Sequence, residues 1–107
     1  MGKNEIINRI IEVAKKIFPN QQGEVYLFGS QARGDSLPDS DWDLLILTDE
    51  NLNNQDSFNK YIFPFSEIGW YLNVEINPIG YSKQEWDKQR NPLFYQNVVR
   101  EAIKLYR

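Results

Sequence analysis

Hydrophobic positions change their spacing several times along the chain. Between residues 4 and 18 apolar side chains recur every three or four positions, with charged residues between them, which predicts an amphipathic helix that ends before Pro19. Two short and almost continuous apolar segments follow at residues 24–28 and 42–48. Such segments are typical of strands, and the Leu-rich second one is typical of a strand buried on both faces.

The second half of the chain gives a less uniform pattern. Residues 57–69 have helical spacing that Pro64 interrupts, so their structure stays ambiguous. Residues 70–81 alternate polar and apolar side chains, which predicts a third strand. The Ser82-x-x-Glu85 spacing is that of a capping box, so a helix is expected to begin at Ser82.

A final amphipathic helix is predicted from Asn91-Pro92 to about Tyr106, because asparagine is a good N-cap and proline suits the first helical position. Strands separated by helices indicate an α/β (α+β) fold, with a small mixed sheet of about three strands covered by helices on one face. A length of 107 residues suits one domain, residues 1–107.

Composition excludes several classes of protein. The hydrophobic fraction is 41% and the charged fraction 25%, as in ordinary soluble domains. A net charge of −3 argues against direct DNA binding. We see neither an apolar segment of about 20 residues that could span a membrane nor a signal-peptide pattern, so a cytoplasmic location is expected.

The chain contains no histidine and no cysteine. This excludes disulfides, Ser-His-Asp triads, thiolate nucleophiles and most transition-metal sites. Any catalysis must use carboxylates, hydroxyls, lysine, arginine, backbone amides and hard cations, and that chemistry points to Mg²⁺ and phosphate.

Asp41 and Asp43 are the strongest candidate site residues. They stand at positions i and i+2 where the second strand begins, so both carboxylates should point to one face, roughly 7 Å apart. A divalent cation between them would offset their repulsion. Aspartates at the start of a strand can equally be ordinary turn and cap residues.

Gly29 and Ser30 follow the first strand and have two interpretations. A glycine there lets backbone amides approach a phosphate, and the hydroxyl can bind a phosphate oxygen. The alternative is a glycine that ends the strand, followed by a capping serine. Arg33 could likewise bind phosphate, or pair with Asp35 or Asp39.

Glu75 is a candidate third acid, because it lies among polar positions of the predicted strand at 70–81. A carboxylate in mid-strand needs a partner or a metal if it is buried. It is simply solvated if the strand lies at the edge of the sheet, which Pro78 favours.

Gly29-Ser30, ten further residues and then Asp41-Trp42-Asp43 together resemble the G-S-x(10)-D-x-D signature of the polymerase β-like nucleotidyltransferase superfamily. The whole pattern is similar to its small branch, the minimal nucleotidyltransferases. The resemblance implies that Asp41, Asp43 and a third acid, here Glu75, are catalytic and bind two Mg²⁺ ions. It implies that Gly29, Ser30 and Arg33 hold the nucleotide.

The resemblance also implies a function, namely magnesium-dependent transfer of AMP from ATP to an acceptor hydroxyl. Such small proteins often act as the antitoxin of an all-helical HEPN-type toxin and modify a tyrosine of that partner. Two alternatives stay open: transfer to a small aminoglycoside-like molecule, and an inactive antitoxin that acts by binding alone. The acceptor, the nucleotide and the oligomeric state are not determined by the sequence.

Overall fold

The structure of the protein is a computed structural model that describes residues 2–20, 22–88 and 91–106. Within these ranges the chain forms six helices and four strands. They are α1 (Lys3–Ile17), β1 (Gly23–Phe28), α2 (Ser30–Arg33), β2 (Trp42–Thr48), α3 (Gln55–Tyr61), α4 (Phe63–Leu72), β3 (Ile76–Ser82), α5 (Lys83–Asp87), α6 (Pro92–Glu101) and β4 (Ile103–Tyr106). None of the helices in the described part of the chain is both long enough and apolar enough to cross a lipid bilayer.

The four strands form one mixed sheet in the order β3-β2-β1-β4. β1 pairs antiparallel with both β2 and β4, and β2 pairs parallel with β3. The predicted α+β fold is confirmed, with one strand more than expected. β2 lies in the interior of the sheet, and six of its seven residues are buried, as its Leu-rich sequence predicted.

The extra strand replaces the end of the predicted final helix. α6 ends at Glu101 because Ala102 is extended (φ −68°, ψ 140°), and β4 then pairs with the otherwise free edge of β1. The Tyr106 hydroxyl donates a hydrogen bond to the carbonyl of Phe18 after α1. The prediction of helix to Tyr106 was therefore wrong, because pairing with β1 outweighs the helical spacing of these residues.

Helices cover both faces of the sheet, whereas one covered face was predicted. Leu44 and Ile46 of β2 point into the larger core, which includes side chains of α1, α3 and α4. Leu45 and Leu47 point to the opposite face, where they lie in one cluster with Trp86 of α5 and Val98 of α6. The alternation of β2 side chains thus supplies both cores, which is why its sequence is apolar at almost every position.

The region between β2 and β3 differs most from prediction. Pro64 lies in the first turn of α4, where its missing N–H is harmless, so residues 57–69 form two helices. α4 continues to Leu72 and ends at Asn73, which is left-handed (φ 57°). The strand predicted over residues 70–81 therefore begins only at Ile76.

A close approach of backbone to Gly69 explains this boundary. The Val74 N–H donates to the Gly69 carbonyl at 3.0 Å, so the chain turns back across the end of α4. A Cβ at Gly69 would lie 2.8 Å from the Val74 carbonyl oxygen. The polar and apolar alternation between residues 70 and 75 belongs to a helix end and a turn, which period alone cannot distinguish from a strand.

Candidate active site

The candidate site begins at the turn between β1 and α2. Gly29 has φ +76°, in the left-handed range that side chains disfavour. A Cβ at this position would overlap the Asp43 carboxylate, because Phe28 and Asp43 are directly paired across β1 and β2. Glycine is thus required twice, by its backbone conformation and by the carboxylate that lies against it.

Asp41 and Asp43 lie where the sequence predicted, at the start of β2. Asp41 is exposed, and Asp43 is half-buried within the strand. Asn77 of β3 is paired with Asp43, and its Nδ2 donates to Asp41 Oδ2 at 3.0 Å. The structure therefore brings together two carboxylates and one amide at the end of the sheet where β2 and β3 begin and β1 finishes.

The surroundings of Asp43 disfavour the charged form of its carboxyl group. Burial raises the pKa of this carboxyl above its ordinary value, and the negative charges of Asp41 and Glu101 raise it further. The hydrogen bond from Asn77 and the positive charge of Arg33 lower this pKa in part. A cation beside Asp43 would favour its charged form, so the site suits a positively charged ligand.

Glu75 lies outside this group of side chains. It precedes β3 and is exposed, and its backbone carbonyl accepts a hydrogen bond from the Trp42 N–H at 2.8 Å. Its side chain lines a cavity of about 520 Å³ together with Asp39 and Lys3. Among residues 2–20, 22–88 and 91–106 no three acidic side chains are grouped so that they could hold a metal ion.

Glu101, at the end of α6, reaches the site from far along the chain. Its Oε1 accepts a hydrogen bond from the Gly29 N–H at 2.9 Å, and its Oε2 accepts one from Arg33 Nη1 at 3.0 Å. Arg33 also donates to Asp35 at 3.2 Å, which is the pairing that the sequence allowed as an alternative. These carboxylates raise the pKa of Arg33, so the guanidinium stays charged.

Asn77 and Glu101 were not among the site residues predicted from the sequence. Asn77 stands two positions after Glu75 and shares its polar alternation. Because β3 begins only at Ile76, Asn77 lies in the strand beside Asp43 and Glu75 does not. Glu101 gave no local signal, because it lies 72 residues from Gly29 and looked like one of many helix-surface charges.

Residues 7–105 match the sequence model of the nucleotidyltransferase domain family. The match covers almost the whole chain, so this protein belongs to that family and is a nucleotidyltransferase. The resemblance drawn from the G-S-x(10)-D-x-D spacing is confirmed at this level.

Two curated relatives are similar to the chain to different extents. A protein of Methanocaldococcus jannaschii, assigned as a protein adenylyltransferase, is 30% identical over 106 residues, which are 99% of this chain and 100% of that protein. The spectinomycin 9-adenylyltransferase of Campylobacter jejuni is 40% identical over 48 residues. That second match covers 45% of this chain and 19% of the antibiotic-modifying enzyme.

Solved structures share the fold. One described as a minimal nucleotidyltransferase has a TM-score of 0.64 and 24% identity, with 96% of this chain and 95% of that chain covered. The MntA–HepT toxin–antitoxin structure has a TM-score of 0.61 and 20% identity, with 97% and 72% covered. A toxin–antitoxin structure with AMP-PNP has a TM-score of 0.60 and 19% identity, with 90% and 72% covered.

Proposed function

We propose that this protein is a magnesium-dependent adenylyltransferase that moves AMP from ATP to a hydroxyl of a partner protein, as the antitoxin of an all-helical HEPN-type toxin. The observation that carries the proposal is the contact of the Gly29 turn with Asp43. It places a backbone N–H that can bind phosphate beside carboxylates that can bind a cation. The adenylyltransferase relative and the toxin–antitoxin neighbours support this choice of nucleotide and partner.

Asp41 and Asp43 would hold the metal in this proposal. The family as a whole uses a nucleoside triphosphate and a divalent metal, and the donors present fit Mg²⁺, which commonly binds one or two carboxylates and completes its shell with water and substrate phosphates. When bound, Mg²⁺ neutralises charge on the phosphates and polarises them toward attack.

The remaining residues would orient the triphosphate. The Gly29 N–H and the Arg33 guanidinium would donate to phosphate oxygens, and so would the hydroxyl of Ser30, the first residue of α2. Their fixed positions hold the α-phosphorus for in-line attack by the acceptor hydroxyl, with pyrophosphate as the leaving group.

The third ligand has two candidates. Glu75 stays a prediction from the sequence, whereas Asn77 already lies against Asp41 at 3.0 Å. Rotation of the Asn77 amide about its terminal torsion would present an oxygen to a cation, without a third negative charge. We propose that two carboxylates and this amide suffice for one Mg²⁺, and that a second ion depends mainly on the substrate phosphates.

Exposed aromatic side chains support a protein acceptor. Trp70 and Tyr71 at the end of α4 are 69% and 81% exposed, unusually open for such large apolar groups. A cavity of about 280 Å³ has both Trp70 and Asn77 in its lining. A partner that covered these aromatic rings would therefore lie next to the proposed metal site and could present a hydroxyl to it.

The proposal is tested by incubation of the protein with ATP, Mg²⁺ and the product of any adjacent gene that encodes a small helical protein, with mass spectrometry of both proteins. We expect the partner to gain one or more AMP groups on tyrosine. The Asp41→Asn/Asp43→Asn double variant should lose this transfer. Asp39→Asn should keep it, because Asp39 lies in the loop before β2 and lines a cavity that does not include Gly29, Asp41 or Asp43.

The outcomes separate three functions. Neutralisation of the partner by the double variant without any transfer would show an antitoxin that acts by binding alone. Neither transfer nor a complex with any helical neighbour would contradict the antitoxin role. Dependence on GTP, CTP or UTP instead of ATP would contradict only the choice of nucleotide.

A second candidate function is transfer to a small cationic acceptor. It is favoured by the cavity of about 520 Å³ next to the loop that leads into β2, where Asp39 and Glu75 could bind an aminocyclitol although Lys3 is in the same lining. The partial match to spectinomycin 9-adenylyltransferase agrees with it. Incubation with spectinomycin, ATP and Mg²⁺ should then yield adenylylated drug, and Asp39→Asn should weaken that reaction while it leaves protein transfer unchanged.

A further inference from the structure

The carboxylate of Glu101 lies on the two donors that the proposed function assigns to phosphate. We infer that Glu101 is a built-in anion that closes the triphosphate site, and that a nucleotide must displace it in order to bind. The inference rests on the proposed function for the role of the turn. Beyond that function, it assigns a role to Glu101 of α6 and describes a closed state in which this carboxylate occupies the phosphate donors.

The geometry imitates a bound phosphate. One oxygen of Glu101 accepts from the Gly29 N–H at 2.9 Å, and the other accepts from Arg33 Nη1 at 3.0 Å. Two oxygens on one carbon thus bridge a backbone amide and a guanidinium, as two oxygens on one phosphorus would. The Glu101 side chain is 20% exposed and Arg33 is 46% exposed, so the carboxylate is the more enclosed member of the pair.

Phosphate and Glu101 cannot share the turn. The Gly29 N–H is a single donor that makes one good hydrogen bond, and its direction is fixed by the backbone (φ 76°, ψ −160°). A triphosphate at this amide would also place further negative charge directly beside the Glu101 carboxylate. Binding of the nucleotide therefore requires the carboxylate to leave.

The surroundings allow that movement. Glu101 is the last residue of α6, and the chain is extended immediately afterwards at Ala102, so the side chain does not lie inside a packed helix. The Glu101 side chain has three rotatable bonds by which it can leave the turn. When pyrophosphate departs, the carboxylate can return to the two donors and close the site again.

A structural role alone is the competing explanation, since Glu101 also links the end of α6 to the end of β1. The two explanations predict different effects of Glu101→Gln. A purely structural link predicts lower stability and unchanged or weaker binding of anions. A resident anion predicts tighter binding, because the amide variant carries no negative charge to compete.

The test measures binding of inorganic triphosphate and of MgATP to the wild type, to Glu101→Gln and to Asp35→Asn by calorimetry. Asp35→Asn is the matched control, because it removes a carboxylate from Arg33 at 3.2 Å and leaves the Gly29 N–H occupied. We expect Glu101→Gln to lower the dissociation constants for both anions by on the order of tenfold, the effect of one charge-assisted hydrogen bond. Asp35→Asn should lower them much less.

The backbone amide supplies a second measurement. In an ¹H–¹⁵N spectrum the chemical shift of the Gly29 amide should differ between the wild type and Glu101→Gln. Added triphosphate should change this chemical shift in both proteins. If Glu101→Gln does not fold, Glu101→Asp takes its place, because its shorter side chain cannot reach both donors and should also tighten binding.

Equal or weaker binding of inorganic triphosphate by Glu101→Gln would overturn the inference, as would an equal gain in Asp35→Asn. Failure of the proposed function gives a different pattern. In that case MgATP would bind to none of the proteins, while Glu101→Gln still bound inorganic triphosphate more tightly than the wild type.

Discussion

Two glutamates of this protein accept a hydrogen bond from the backbone N–H that stands just before a helix, and they do so in opposite ways. Glu85 accepts from Ser82 at 3.2 Å, three residues away, and completes a capping box. Glu101 accepts from Gly29 at 2.9 Å, 72 residues away, at a turn that has no capping side chain of its own. The cap of α5 is formed by residues three positions apart, whereas the Gly29 amide depends on a distant carboxylate that, as we propose, a nucleotide displaces.

Among variants that test this comparison, Gly29→Ala should have the largest effect on stability and activity. Left-handed backbone and overlap with Asp43 should together destabilise the protein by roughly 2 to 4 kcal/mol and abolish AMP transfer. Gly34→Ala is the control, because Gly34 has φ +83° but open space around it, so only the backbone term of about 1 kcal/mol applies. Urea unfolding of both variants that gave equal losses would contradict the assigned contact.

Asp43→Asn should change activity and stability in opposite directions at the Gly29 turn. The proposed AMP transfer should fall more than about a hundredfold, because Asp43 is a proposed metal ligand and the loss of such a ligand costs several kcal/mol of transition-state stabilisation. The metal-free variant should nevertheless melt a few degrees higher than the wild type at pH 7, since burial makes the Asp43 charge unfavourable.

The sign of this stability effect follows from the raised pKa of Asp43. The charged carboxylate destabilises the folded state above that pKa, so the gap between wild type and variant should shrink as the pH falls toward ordinary carboxyl values. Calorimetry in EDTA across this pH range measures the gap. A variant that melted lower than the wild type at pH 7 would contradict the electrostatic explanation.

Ser82→Ala tests the other member of the comparison. Loss of the capping hydroxyl should destabilise the protein by about 1 kcal/mol. The proposed AMP transfer should be unchanged, because Ser82 pairs with Thr48 at the end of β2, whereas Gly29 lies near its start. Glu85→Gln keeps an acceptor for the Ser82 N–H, so it should cost less. A loss of transfer in folded Ser82→Ala would show that the capped helix also serves the site.

The smallest effect is expected for Glu75→Gln. Its side chain is exposed on a cavity wall, so the rate of transfer to protein should change by less than about tenfold. Asn77→Asp is the paired variant, because it adds a carboxylate against Asp41 and should tighten Mg²⁺ binding in calorimetry. If Glu75→Gln instead abolishes transfer while the protein stays folded, Glu75 is the third metal ligand.

Local patterns in the sequence predicted those parts of the fold whose partners are near in the chain. The amphipathic α1, the apolar β1 and β2, and the Ser82–Glu85 capping box are each set by residues within a few positions of one another. The spacing of apolar residues gave a wrong prediction at residues 70–75, because a helix end followed by a turn shows the same alternation as a strand. It also gave a wrong prediction in β4, because pairing with the distant β1 outweighed the helical spacing.

The candidate site shows the same division. The sequence alone determined the family, through the spacing of Gly29-Ser30 and Asp41-Trp42-Asp43, because Gly29 directly follows β1 and Asp41 directly precedes β2, the strand that pairs with β1. Only the tertiary structure decided that Asn77 faces the two aspartates and that Glu101 lies on the Gly29 amide. These contacts depend on where β3 begins and on the pairing of β4 with β1, which brings the end of α6 to Gly29. Both are set by the packing of the whole chain and not by any local pattern.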